Sequence, residues 1–302
     1  MIGRAVFAYG AAYATPPLMK FFPVLLLTGA LAGAASQAVA QAPDSTAKPR
    51  YTLFQPTPRT QLRKLHPDRP GITESGFTID PGHLQVETNL FRVRNGREDG
   101  TRRRELLFNQ AVVKLGVSEQ TDVQLVVESY TIEKEWPQEN TAPARNRGFG
   151  DLTLRVKRNI FGDDGPSRGA LAVATFVRMP TGGSVGNGGW EAGVSVPFTY
   201  KLAETSELSV QVRGNWEHDR DAGQHFVSFM PAATVNHDLN KVLGVYAELM
   251  SNWDTRQALW RTTLNVGPEL TLSENCQLDF GAGLPLTRET YREFFLGLTL
   301  RR

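Results

Sequence analysis

The feature that most constrains the fold is a series of twelve segments in which apolar and polar or small side chains alternate. A period of two is typical of β-strands, because successive side chains point to opposite faces. Residues that favour turns, namely Gly, Pro, Asn and Asp, separate the segments. We place the strands near 82–94, 104–117, 120–133, 149–161, 168–180, 189–203, 206–217, 224–238, 241–253, 257–270, 274–284 and 291–301.

Alternation alone leaves two architectures open. In the segment near 206–217, Leu208, Val210 and Val212 share one face, and Gln211 and Arg213 share the other. A soluble sandwich turns such an apolar face inward, whereas a transmembrane barrel turns it toward lipid. Alternate connections are mostly brief, and the others are mostly longer, as in outer-membrane barrels. The longer ones are 95–103, 134–148, 181–188 and 218–223.

The five tryptophans favour the barrel. With this strand numbering they all fall at one rim: Trp136, Trp190, Trp216, Trp253 and Trp260. An indole prefers the membrane boundary, where its ring is apolar and its N–H can reach water. The sequence therefore predicts an all-β fold, a transmembrane antiparallel up-and-down β-barrel of about 12 strands over residues 82–302. The soluble periplasmic β-sandwich that binds a ligand remains an alternative.

Residues 1–40 have the pattern of a cleaved signal peptide. Lys20 precedes an apolar run, and Ala38-Val39-Ala40 has the small-residue shape that a signal peptidase needs. The true translation start would then be Met19. Export places the mature chain in the cell envelope, and the predicted localisation is the outer membrane. Residues 41–81 show no sustained period and are predicted to form an extended periplasmic leader or plug.

The polar faces carry charges of both signs. A barrel of 12 strands has a narrow interior, so these side chains would line a constricted lumen and pair across it. The functional interpretation is a filter for solutes by charge and width, and the structural one is a set of satisfied buried ion pairs. The lumen candidates are Glu87, Lys114, Glu128, Arg155, Lys157, Arg178, Arg213, Glu248, Arg261, Glu269 and Asp279.

Motifs for catalysis or cofactors do not stand out. The five histidines form no H-E-x-x-H, there is one cysteine, Cys276, and no nucleophile elbow is present. The glycine-rich stretch 182–189 lacks a P-loop lysine and is predicted to be a flexible outer loop. We therefore predict a protein that is not an enzyme and that needs no metal or other cofactor.

The order of short motifs resembles the MetA-pathway phenol degradation family of bacterial outer-membrane proteins, over roughly residues 66–300. The resemblance implies an exported, transporter-like barrel associated with aromatic-compound catabolism. It rests on Asp68-Arg69-Pro70-Gly71 with Thr73, on Gly82, Gln85 and Glu87, on Gly148-Phe149-Gly150-Asp151-Leu152 with Lys157, on Pro180-Thr181-Gly182, on Glu248, and on Gln277-Leu278-Asp279 with Gly281 and Gly283.

These observations predict a passive channel for small, aromatic or weakly polar solutes. A closed structural or surface-interaction barrel is the alternative. The leader is predicted to enter the lumen and to pair Asp68 or Arg69 with wall charges such as Glu87 or Arg213. The partners expected are the barrel-assembly machinery and outer-membrane lipids. Lipopolysaccharide phosphates would be bound by arginines near the outer loops: Arg97, Arg102, Arg103, Arg104, Arg145 and Arg147. Nothing in the charge balance suggests a nucleic-acid partner.

Overall fold

The structure, a computed structural model, describes residues 50–98, 100–136, 142–163, 166–220 and 222–302. The predicted signal peptide lies outside the described residues. The strands are β1 (Leu84–Glu98), β2 (Thr101–Ser118), β3 (Thr121–Val127), β4 (Tyr130–Trp136), β5 (Ala144–Phe149), β6 (Leu152–Phe161), β7 (Gly169–Met179), β8 (Glu191–Ala203), β9 (Ser206–Asp219), β10 (Gln224–Asp238), β11 (Leu243–Asp254), β12 (Leu259–Ser273), β13 (Cys276–Pro285) and β14 (Tyr291–Arg301).

The strands form one antiparallel sheet that closes on itself, because β1 pairs with both β2 and β14. Both β3 and β4 pair with β2, and they are two halves of one long strand. Similarly, β5 pairs with β4 and β6 pairs with β3, so β5 and β6 make up another. The result is the predicted closed barrel of 12 antiparallel strands, each of which neighbours the next in the chain.

Burial shows which face points inward. The most buried large side chains are polar or charged, among them Lys114 and Glu248, which are 2% and 0% exposed. Apolar side chains on the opposite face are open, as at Val212, which is 57% exposed, and Leu249, which is 50% exposed. This inverted arrangement matches a barrel with apolar residues toward lipid and polar residues inside. The soluble sandwich was therefore the wrong alternative.

Strand β2 departs from simple alternation at Asn109. Its backbone φ is +50°, and the pairing with β1 skips from Gln110 to Phe108. Asparagine tolerates this left-handed conformation better than most residues, and an inserted residue reverses the alternation beyond it. The bulge therefore explains why Leu107 faces the same side as Lys114 although their sequence positions have opposite parity.

The two ends of the barrel differ. At the turn end, where the chain enters β1 and leaves β14, connections such as 119–120, 204–205 and 274–275 are short. At the loop end the strands run further than predicted, so the predicted loop 95–103 is mostly part of the β1–β2 hairpin. All five tryptophans lie at the loop end, and Trp253 stacks with Trp260 at 5.9 Å between ring centroids.

The described leader, residues 50–83, contains one short 3-10 helix, Arg59–Gln61. It starts against the turn end, where the backbone N–H of Leu53 donates to the carbonyl of Val117. It then lies inside the barrel, because its residues contact inward-facing side chains of strands on opposite sides of the wall. Among the described residues, no helix is long and apolar enough to cross a membrane.

Candidate functional site

Two carboxylates of the leader bind four cations of the wall. Asp68 lies 2.7 Å from the Nζ atom of Lys114 on β2 and 3.0 Å from that of Lys157 on β6. It also accepts hydrogen bonds from the backbone N–H and the hydroxyl of Ser75, so the leader folds back on itself here. Each of these carboxylate and ammonium groups is almost fully buried. Buried charges of this kind are stable only when they are paired.

Glu74 is the second of these carboxylates. It lies 2.8 Å from a guanidinium nitrogen of Arg155 on β6 and 2.5 Å from one of Arg213 on β9. Its other oxygen is 3.3 Å from the hydroxyl of Ser195 on β8. A leader residue thus links three strands that lie on one side of the barrel.

The opposite side of the wall is acidic. Asp279 on β13 receives two hydrogen bonds from the guanidinium of Arg69, at 2.7 and 3.0 Å. Glu248 on β11 accepts from the backbone N–H groups of Ile72 and Thr73 at 2.8 and 2.7 Å. The bore therefore has cations on β2, β6 and β9 and carboxylates on β11 and β13, and the leader lies between them with complementary charges.

Glycine at two positions allows this close approach. A Cβ atom on Gly297 of β14 would overlap the guanidinium of Arg69, and one on Gly71 would overlap the carboxylate of Glu248. Only a residue without a side chain lets the leader and the wall come this close.

The turn end of the bore is closed by a second cluster. Arg63 of the leader pairs with Asp80 at 2.7 Å and with Asp163 of the β6–β7 connection. Arg301 on β14 also reaches Asp80, at 3.4 Å, and its guanidinium donates to the carbonyl of Arg63 at 2.9 Å. These contacts hold the leader to β14 and to the β6–β7 connection.

The electrostatic environment favours the charged form of both leader carboxylates. Burial alone would raise the pKa of Asp68, but Lys114 and Lys157 outweigh it and hold that pKa well below its ordinary value. Burial would also raise the pKa of Glu74, but the positive charges of Arg155 and Arg213 outweigh this effect and lower it. Both groups therefore stay ionised in the bore at neutral pH.

His66 is shifted for a different reason. It is stacked on Phe77, with ring centroids 4.0 Å apart. Burial, followed by the nearby charges of Lys64 and Arg63, lowers the pKa of His66 to about 3. The imidazole is therefore neutral while the leader is seated.

The predicted lumen residues all lie on the inward face. Besides those already described, Glu87 contacts Lys114, and Glu269 accepts a hydrogen bond from Asn236 at 3.0 Å. Toward the loop end, Arg178 binds Glu128 at 2.7 Å, and Arg261 lies 3.8 Å from Asp254.

The predicted leader contacts differ in their partners. The backbone N–H of Asp68 donates to Glu87 at 3.2 Å, but its carboxylate binds Lys114 and Lys157 and not Arg213. Arg213 is bound by Glu74 instead. The expectation for Arg213 was wrong because Asp68 lies deeper toward the turn end, at the level of the two lysines.

Three charged residues that line or enter the bore were not among those predicted from the sequence. Glu74 lies in a segment without periodicity, so nothing local marks it as an inward residue. Arg92 lies beyond the irregular pairing of β1 near Leu90, where the alternation shifts. Asp151, in the break between β5 and β6, accepts from the backbone N–H groups of Gly182 and Asn187, both at 2.7 Å. It thereby anchors the glycine-rich loop that was expected to be flexible.

The arginines near the loop end divide between the two faces. Arg104, Arg145 and Arg147 lie on the outward face. Arg145 and Arg147 line a surface recess of about 430 Å³, together with Leu106 and Ile132. Arg102 is on the same face, 4.9 Å from the ring of Trp136. Arg103 points into the bore and binds Glu135 at 3.2 Å, while Arg97 lies on β1. Contact with lipopolysaccharide stays a prediction.

Across the described ranges, no group of three or more His, Cys, Asp and Glu side chains is placed to hold a metal ion. The bore chemistry consists of fixed charges and hydrogen bonds. A closed wall, apolar outside and charged inside, defines the class of the outer-membrane-type β-barrel.

The chain belongs to the family described as "Putative MetA-pathway of phenol degradation", which matches residues 67–301. An outer-membrane channel from Pseudomonas putida F1 has a similar fold, with a TM-score of 0.54 and 14% identity over 73% of this chain and 94% of that one. The NanC porin is 11% identical over 72% and 98% of the two chains, with a TM-score of 0.46. The CymD monoaromatic hydrocarbon channel is 8% identical over 73% and 87%, with a TM-score of 0.40. No curated protein sequence matches the chain.

Proposed function

We propose that this protein is a passive outer-membrane channel for small solutes, and that its leader regulates passage by occupying the bore. The observation that carries the proposal is a partial separation of wall charges. Lys114, Lys157, Arg155 and Arg213 lie on one side, together with Glu87 and Asp122, and Glu248 and Asp279 lie on the other. A purely structural interior needs no such separation. Charged rings of opposite sign across a narrow bore filter solutes by charge and width.

The contacts of the leader are of a kind that can be exchanged. They are ion pairs and hydrogen bonds between hydrophilic groups, and water or a charged solute can replace each partner when the leader moves. Most buried side chains among the described residues are polar or charged, and the apolar minority includes Ala172, Ala174 and Phe295. Release would leave an open passage lined by the same charges.

Planar-bilayer recording tests the proposal. Deletion of residues 41–75 removes Asp68, Arg69 and Glu74 together, and we expect a larger single-channel conductance than in the full-length protein. A heat-modifiability gel on the same sample reports whether the barrel has formed. Neutralising Arg213 or Glu248 in the deletion variant should change the ion selectivity, because each would then line the passage. Unchanged conductance in a folded deletion variant would count against a regulating leader.

A closed structural barrel is the second candidate. The observation that favours it is that the leader carboxylates and several wall charges are already paired, which is what a permanently filled interior requires. Electrically silent protein, with and without residues 41–75, would support this candidate and reject the channel. The solute itself, whether aromatic or weakly polar, is part of the proposal and not of the fold.

A further inference from the structure

A cavity of about 200 Å³ lies between the leader and the wall formed by β1, β2, β6 and β9. Its charged lining is unbalanced, because five cationic side chains face three carboxylates. The cations are Arg69, Arg92, Lys114, Arg155 and Arg213, and the carboxylates are Asp68, Glu74 and Glu87. Asp279 lies outside this lining and pairs with Arg69, so one positive charge is in excess, and in a confined space it attracts an anion more strongly than it would at a surface.

Three of these arginines have donor capacity to spare. The Nε–H groups of Arg92, Arg155 and Arg213 are buried, and none has a hydrogen-bond acceptor among the described residues. A buried donor without an acceptor is unfavourable and calls for a partner. The planar guanidinium group is suited to a carboxylate, which it can bind through two parallel hydrogen bonds.

Arg92 is the most available of the three. Its nearest carboxylate is Glu293, with 3.9 Å between the closest charged atoms, and one nitrogen donates to Asn89 at 3.4 Å. Its guanidinium carbon lies 4.8 Å from the centre of the Phe295 ring. Arg155 and Arg213, by contrast, each hold Glu74 at short range.

The rest of the lining limits the ligand. Ile72 of the leader, Val112 and Val126 give the cavity an apolar portion. Its volume is below the roughly 300–1,000 Å³ that is usual for drug-sized ligands. The ligand is therefore small, with an apolar body beside an anionic group.

We propose that this cavity is a binding site for a small organic carboxylate, whose anionic group is held by Arg92. As a statement about the transported solute it rests on the proposed function, since it names the class of molecule that the channel would pass. As a statement about binding it does not depend on conductance. Experiments can therefore refute binding of the carboxylate and its transport independently of each other.

Calorimetric titration of the full-length protein in detergent tests binding directly. The probes are benzoate, benzyl alcohol and benzylamine, which have similar size and differ in charge. We expect saturable binding of benzoate and at least about tenfold weaker binding of the other two, because only benzoate can accept charge-assisted hydrogen bonds from the guanidinium group as an anion. Benzoate that binds no more tightly than benzyl alcohol would overturn the inference.

Variants place the binding in this cavity. Arg92→Gln should weaken benzoate binding by about tenfold or more, whereas Arg59→Gln, an exposed leader arginine, should leave it unchanged. Arg92→Lys keeps the positive charge but removes the Nε donor, and it should also weaken binding, which provides a second test should Arg92→Gln fail to fold. Wild-type affinity in a folded Arg92→Gln variant would overturn the assignment. Benzoate binding by a protein without conductance would reject the channel and leave this site standing.

Discussion

Replacing Arg69 by Met should release the leader, and the structure sets the size of the effect. The Arg69 side chain is 8% exposed, and its partner Asp279 is 0% exposed. The substitution preserves much of the side-chain volume but leaves a buried carboxylate without its cation. Breaking a buried pair in this way costs about 3–5 kcal/mol. Since about 1.4 kcal/mol corresponds to tenfold, the release constant of the leader should rise by roughly two to three and a half orders of magnitude.

Hydrogen exchange measures this constant. The backbone N–H groups of Ile72 and Thr73 donate to Glu248 only while the leader is seated, so their exchange rates follow its release. We expect both amides to exchange about 100-fold to several thousand-fold faster in Arg69→Met. Arg59→Met is the matched control, with the same substitution at an exposed leader position, and it should have no effect.

The double variant Arg69→Met with Asp279→Asn should recover part of the protection, because no charge is then left unpaired. Wild-type exchange rates at both amides in Arg69→Met would refute the reasoning, since they would mean that this ion pair does not hold the leader.

Two further predictions concern the leader, and a third concerns the outward arginines near the loop end. The pKa of His66 is lowered from 6.5 to about 3 in the seated leader, so the leader binds most tightly above pH 6.5 and less tightly as the pH falls from 6.5 toward 3, by about 2 kcal/mol at about pH 5. The amide exchange of the leader should accelerate over this window, and His66→Gln should remove the acceleration. Gly297→Ala should loosen the leader as Arg69→Met does, because the new Cβ meets the Arg69 guanidinium, while the barrel still shows its heat-modifiable band on a gel. Replacing Arg145 and Arg147 together by Gln should lower the amount of lipopolysaccharide that copurifies with the protein, and an unchanged amount would remove these two arginines as lipid contacts.

The sequence predicted the barrel well because its signal is local. Alternation at period two requires no knowledge of which strands meet, and turn residues mark where each strand ends. The apolar face of Leu208, Val210 and Val212 and the polar face of Gln211 and Arg213 are already visible in six consecutive residues. The alternation cannot be followed through a position where an inserted residue shifts it, as at Asn109, since the bulge is fixed by pairing between strands.

The charged lining was also predictable as a set, because side chains opposite a lipid-facing stripe must point into the barrel. The binding partners of these residues could not be predicted from the sequence. Glu74 meets Arg213 across 139 residues of chain and Arg69 meets Asp279 across 210, and both leader residues lie in a segment without a period. The amino-acid order by itself determined a lipid-facing and a bore-facing stripe in each strand. Only the closed tertiary structure decided which leader carboxylate lies at the level of which cations, because that depends on strand register and on the depth to which the leader enters.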